Sequence, residues 1–112
     1  MRPLFHPSIE DVRPESILHA LSDPARARIF CQIASADCAQ TCSSLASLGE
    51  KAIPKSSLSQ HFKVLREAGL IRSERAGVEM RNTSRCEEIE ARFPGLLPAI
   101  RAAYSAEANK AA

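Results

Sequence analysis

KSSLSQHFKVLREAGL, residues 55–70, reads as an amphipathic helix with both ends marked. Pro54 blocks helix upstream, and the serines after it supply a cap. Ser57 with Gln60 has capping-box spacing, and Ser56 is the alternative N-cap. At about 100° per residue, Leu58, Phe62, Leu65 and Gly69 share one side. Ser56, Gln60, Lys63, Val64 and Glu67 fall opposite, with Ser57 at their edge. Gly69 suits the left-handed residue that ends a helix. With Ala68 as C-cap, Leu65 and Leu70 hold the two positions whose apolar contact accompanies a Schellman ending.

The polar side is unusual for a solvated helix. Its first two turns carry hydroxyls, an amide and the His61 imidazole, with no carboxylate. Short polar side chains let a helix approach base edges closely. Glutamine bonds adenine at two points, and serine pairs with several bases. This face therefore reads as a DNA recognition surface. Ser57 and Gln60 are the base-contact candidates, and Ser56, Ser59, His61, Lys63 and Arg66 the candidates for phosphate or groove edges. The plainer reading is a capped helix with a solvated face.

The next residues favour DNA. The stretch 70–75, LIRSER, and the stretch 78–83, VEMRNT, flank the turn signal Ala76-Gly77 and predict a hairpin. A hairpin with Arg75 and Arg81 beside a recognition helix is a wing that reaches phosphate or a minor groove. Alone, a charged hairpin would be a solvated edge pair. The whole chain has a formal charge of only +2. Its cations nevertheless gather: residues 51–85 hold eight Lys or Arg against Glu67, Glu74 and Glu79, which leaves the remainder net acidic. That is the footprint expected for a polyanionic partner.

With these residues in place the chain resembles the ArsR/SmtB family of winged helix-turn-helix regulators. The matching words are ALSDPARARI at 20–29 and SSLSQHFKVLREAGLI at 56–71, followed by a wing-like 77–81, and the likeness spans about 17–100. The resemblance implies a mostly α fold with a small β-hairpin wing. It also implies a homodimer built on the first and last helices, bound to an operator of dyad symmetry and repressing until an effector loosens it. A winged helix used only for protein–protein contact is the rival. It would be expected to expose large apolar anchors on the recognition face.

The rest of the chain fits one domain. At 112 residues there is room for one core. Residues 1–13 read as an irregular proline-bearing arm, 14–104 as the domain and 105–112 as a frayed tail. Helices are expected from Pro14 to about Leu21, with Ile17, Leu18 and Leu21 inward, and from Pro24 with Asp23 as cap. Others are expected over 42–48, over 86–92, and from near Gly95, where Phe93, Leu96, Leu97, Ile100 and Tyr104 form an apolar stripe. No run approaches the roughly 20 apolar residues of a membrane span. The N-terminus lacks a signal-peptide pattern, so a cytoplasmic protein is expected. The four glycines are isolated and no nucleophile motif is present, so no enzyme is expected.

Four cysteines, Cys31, Cys38, Cys42 and Cys86, decide what could be sensed. Cys38 and Cys42, if helical, would share a face. They are the effector candidates for a soft metal, arsenite, reactive sulfur or an oxidant. Two thiolates alone do not complete a zinc site. Cys31 reads as a small core hydrophobe. Cys86 lies beside Glu87 and Glu88, whose charge disfavours a thiolate. Two metal sites of the resembled family fail here. Ser43 and Ser44 stand where a Cys-x-Cys pair would complete, and no His or Asp follows Cys86. No cofactor is expected, and the metal question stays open.

Overall fold

The word LSDPAR folds into a corner that fastens two helices to each other. In the computed structural model, which describes residues 4–35, 40–41 and 55–111, α1 spans Pro14–Ala20 and α2 spans Pro24–Ser35. Asp23 Oδ1 accepts from the amides of Ala25 and Arg26 at 2.8 and 3.2 Å, capping α2, with Pro24 at its first position. Arg26 reaches back: its Nε donates to the Ala20 carbonyl at 2.8 Å and its Nη2 to His19 at 3.3 Å, satisfying the open end of α1. Burial opposes ionisation of Asp23. The Arg26 and Ala25 amides and the Arg26 guanidinium outweigh it and hold the carboxyl below its ordinary value.

Helix α3 covers Lys55–Glu67, and a hairpin follows, β2 (Ile71–Ala76) with β3 (Glu79–Ser84). Gly77 alone takes the left-handed backbone in the two-residue connection, φ 66°, the pattern of a type II′ turn whose twist matches the strands. A short β1 (Gln40–Thr41) pairs with β3, giving an antiparallel sheet of order β1-β3-β2. Helices α4 (Cys86–Arg92) and α5 (Leu96–Ala111) complete the chain. Ile17, Ile29, Phe30, Leu65, Leu70, Ile71 and Ile89 form the fully buried centre, with Leu97 of α5 closing over it.

Several expectations change. The helix already includes Lys55, so Ser56 and Ser57 sit inside its first turn and neither is its N-cap. Leu18 points out, 52% exposed, because the α1 face carrying Ile17 and Leu21 already fills the core. Val64 turns inward and packs against the core. The last helix runs through Ala111, past Ser105 where fraying was expected, since Ala, Glu and Lys favour helix. The expected helix over 42–48 lies outside the described residues.

The arm is irregular but docked. Among its described residues only Ile9–Asp11 make a 3-10 turn, while Val12 is buried. His6 Nε2 accepts from the Ser73 amide of β2 at 3.0 Å. Arg85 Nη1 donates to the Pro7 carbonyl at 2.8 Å, and Arg92 Nη1 donates to Ile9. An imidazole that accepts at Nε2 must be neutral there. Burial is the main cause that lowers its pKa below the ordinary value, with Arg72, Arg66 and Arg85 adding to it. The unfolded chain thus binds this proton more readily. His6 should add stability as pH rises from its folded pKa to about 6.5, with no further gain above. Thermal melts below about pH 6.5 should show a pH slope that His6→Gln reduces. An unchanged slope would detach His6 from the clasp.

Candidate nucleic-acid interface

The two sides of α3 are physically distinct. Leu58 and Phe62 are 4% exposed and Leu65 is fully buried, whereas Ser56, Ser57, Ser59, Gln60 and Lys63 are all exposed. The helix ends as its sequence predicts. Gly69 takes φ 87°, the Leu70 amide donates to Leu65 at 3.0 Å and the Gly69 amide to Arg66 at 3.1 Å, which is the Schellman pair. This ending fixes where β2 departs, and so sets the wing relative to the recognition face. With Val64 turned inward, no exposed large hydrophobic lies on α3; among the described residues they are Phe5, Leu18 and Val78.

His61 and Arg66 differ from the other nominated residues. Both are half-buried. Nδ1 of His61 is enclosed, with no hydrogen-bond partner among the described residues, and its ring lies near enough to affect Asp23. It therefore stands at the flank facing the α1–α2 corner rather than on the open face.

The wing register is Ser73↔Asn82, Glu74↔Arg81 and Arg75↔Met80. Side chains alternate across a strand, so Arg75 and Arg81 project from opposite faces of the hairpin. Both are exposed. Arg81 shares its face with Arg72, Glu74 and Thr83. The inner face holds Ile71 and the buried Ser73 Oγ, which donates to Asn82 Oδ1 at 2.7 Å. At the turn Val78 is fully exposed.

The cationic character is narrower than the sequence count. Arg85 has a side chain only 3% exposed and donates to Glu88 Oε2 at 2.6 Å; Arg72 pairs with Glu88 at 3.4 Å. The Arg85 hydrogen bond is the main cause that holds the Glu88 carboxyl below its ordinary value, with both arginines' charges adding to it against burial. Two of the eight cations thus serve the fold. Of the other six, the side chains of Lys51 and Lys55 lie outside the description, and Lys63, Arg66, Arg75 and Arg81 stand on α3 and the wing. Cys38 and Cys42 lie outside the described residues. No group of three or more His, Cys, Asp or Glu suited to a metal occurs among the described residues. No described helix is long and apolar enough to cross a membrane.

Comparison with known proteins agrees with this geometry. Residues 21–74 match the helix-turn-helix domain family. An ArsR-like transcriptional regulator from Rhodococcus sp. RHA1 is 27% identical, with TM-score 0.58 over 88% of this chain and 91% of that one. An ArsR family transcriptional regulator is 25% identical, with TM-score 0.60 over 76% of this chain and 89% of that one. Reduced HlyU from Vibrio cholerae N16961, 23% identical with TM-score 0.57 over 71% of this chain and 87% of that one, shares the fold. No curated protein sequence matches. The matched family and fold are those of transcriptional regulators, which are not enzymes.

Proposed function

We propose that the chain, which is similar to ArsR-like transcriptional regulators, is itself a transcriptional regulator that binds a duplex operator as a homodimer and represses until an effector releases it. One observation carries the DNA reading. The open side of α3 presents Ser56, Ser57, Ser59, Gln60 and Lys63 together, with no apolar anchor for a protein partner. Ser57 and Gln60 read bases, while Ser56, Ser59, His61, Lys63 and Arg66 hold phosphate or groove edges. Arg75 and Arg81, on opposite faces of the wing, straddle the adjoining backbone. Dimerisation through α1 and α5 is supported by the exposed Leu18 and by half-buried Leu96 and Ile100 on α5.

The test is selection of bound duplexes from a random pool by purified protein. The expected product is an inverted repeat with half-site centres about 34–36 Å apart, one helical turn. A pool with no enriched sequence would overturn the reading. Arg81→Ala should weaken all duplexes alike and reduce the slope of log affinity against log salt by about one unit per protomer. A loss confined to one base position would instead make Arg81 a base reader.

A further inference from the structure

The outermost anchor of the arm is one that a proton can break. His6 Nε2 accepts from the Ser73 amide at 3.0 Å, and the Leu4 carbonyl accepts from the same ring. Those two bonds fix the tautomer, with the proton on Nδ1 and the lone pair on Nε2. β2 is the outer strand of its sheet, so this lone pair covers the open edge at mid-strand. Ser73 is buried, and towards the tip it is followed by the exposed Glu74, Arg75, Gly77 and Val78. The imidazole therefore braces the wing at the root of its exposed part. The inner anchors are of another kind. Arg85 holds the Pro7 carbonyl at 2.8 Å, Arg92 holds that of Ile9, and Val12 is buried. Among the described residues the charges that face the ring are positive: Arg66 of α3, Arg72 of β2 and Arg85 just before α4. Glu88 of α4 is bound to Arg85 and Arg72. The arm's own Glu10 and Asp11 are exposed, and Asp11 accepts from Ser8 at 3.0 Å.

We propose that His6 is a proton-released latch on the wing: acid frees residues 4–6 from the edge of β2, Pro7 stays as the hinge, and the unbraced wing binds duplex less well. Protonation puts a hydrogen on Nε2, where the Ser73 amide already points one. Two donors then face each other, and the bond cannot persist. The three arginines add repulsion, so the imidazolium leaves for water. The inner anchors hold carbonyls with guanidinium groups, which stay charged throughout, so the release stops at Pro7. Arg75 lies two residues beyond Ser73 and loses the fixed geometry from which it would hold phosphate. Ordering the wing again on DNA then takes part of the binding free energy. The charge of the freed imidazolium pulls the other way, yet an exposed charge is screened beyond about 8–10 Å in ordinary salt. The effect on duplex binding rests on the operator reading above; the latch itself does not.

The experiment follows the full chain by NMR from about pH 7.5 to about pH 5, across the ordinary histidine value. At the upper end the His6 ring is expected to carry its proton on Nδ1, with Nε2 bare. The ring and the Ser73 amide should then shift together, with one midpoint below about 6.5. A ring protonated on Nε2 at the upper end, or a Ser73 amide that does not follow His6, overturns the latch. Affinity for a selected duplex is read in the wild type, His6→Gln and His6→Ala. Glutamine keeps an acceptor and does not titrate, while alanine opens the edge without adding charge. Over the same span the wild type should lose about 5-fold relative to His6→Gln, the low end of coupling between two sites. That comparison cancels the titration of His19 and His61, which both proteins keep. At the upper end His6→Ala should already bind about 5-fold more weakly than the wild type. Equal pH dependence in wild type and His6→Gln, a relative gain by the wild type, or an unimpaired His6→Ala overturns the regulatory part. If no duplex is selected, the operator reading fails, while the NMR titration still decides the latch.

Discussion

Gly69→Ala should cost the protein about 2–5 kcal/mol, combining about 1–2 for a left-handed alanine with about 1–3 for overpacking. Gly69 has φ 87°, and a Cβ there would overlap Val12 Cγ2 while meeting Val12 Cβ and Cγ1 at 3.4 Å. Val12 is only 2% exposed, held beneath the turn by the docked arm. Denaturant unfolding gives the magnitude. In a Val12→Ala background the same substitution should cost only the backbone share, which separates the two causes. A loss below about 0.5 kcal/mol, the range of ordinary surface changes, would show that Val12 does not occupy this position in solution. Because the same turn sets where β2 leaves α3, the surviving folded fraction should also bind duplex less well.

Gln60→Ala should relax specificity at one base position of each half-site by about 1–3 kcal/mol, the worth of a good bidentate contact. Gln60 is exposed on the open side of α3, so its removal should leave the melting temperature nearly unchanged. Binding to duplexes altered at that base then becomes the informative measurement. Wild-type discrimination in the variant would mean that another part of the helix faces the bases. The contrast with Arg81→Ala is diagnostic, since that variant should lose affinity without losing sequence preference.

Much of this was legible because local chemistry wrote it. Asp23-Pro24 and Ala68-Gly69-Leu70 mark helix boundaries through capping and left-handed backbone, and both form as read. The 3.6-residue repeat separated Leu58, Phe62 and Leu65 from the exposed serines and Gln60. It failed at Val64 and Leu18, whose positions near the edge of a face are settled by the neighbouring helix rather than by their own periodicity. The charge count included Arg72 and Arg85 because a sequence does not show that Glu88 will meet both. The cysteines are a separate matter: Cys38 and Cys42 lie outside the described residues, while Cys31 and Cys86 are both free and half-buried.

The clasp on the arm has a consequence for how the chain is made. Its anchors lie 67, 78 and 83 residues from the atoms they hold. The α1–α2 corner, by contrast, closes over separations of two to seven. Short loops close fastest. On the ribosome the corner can therefore form soon after it emerges, while His6, Pro7 and Ile9 wait for β2 and α4 to be synthesised before they find their seat. Residues made before the corner thus settle after it.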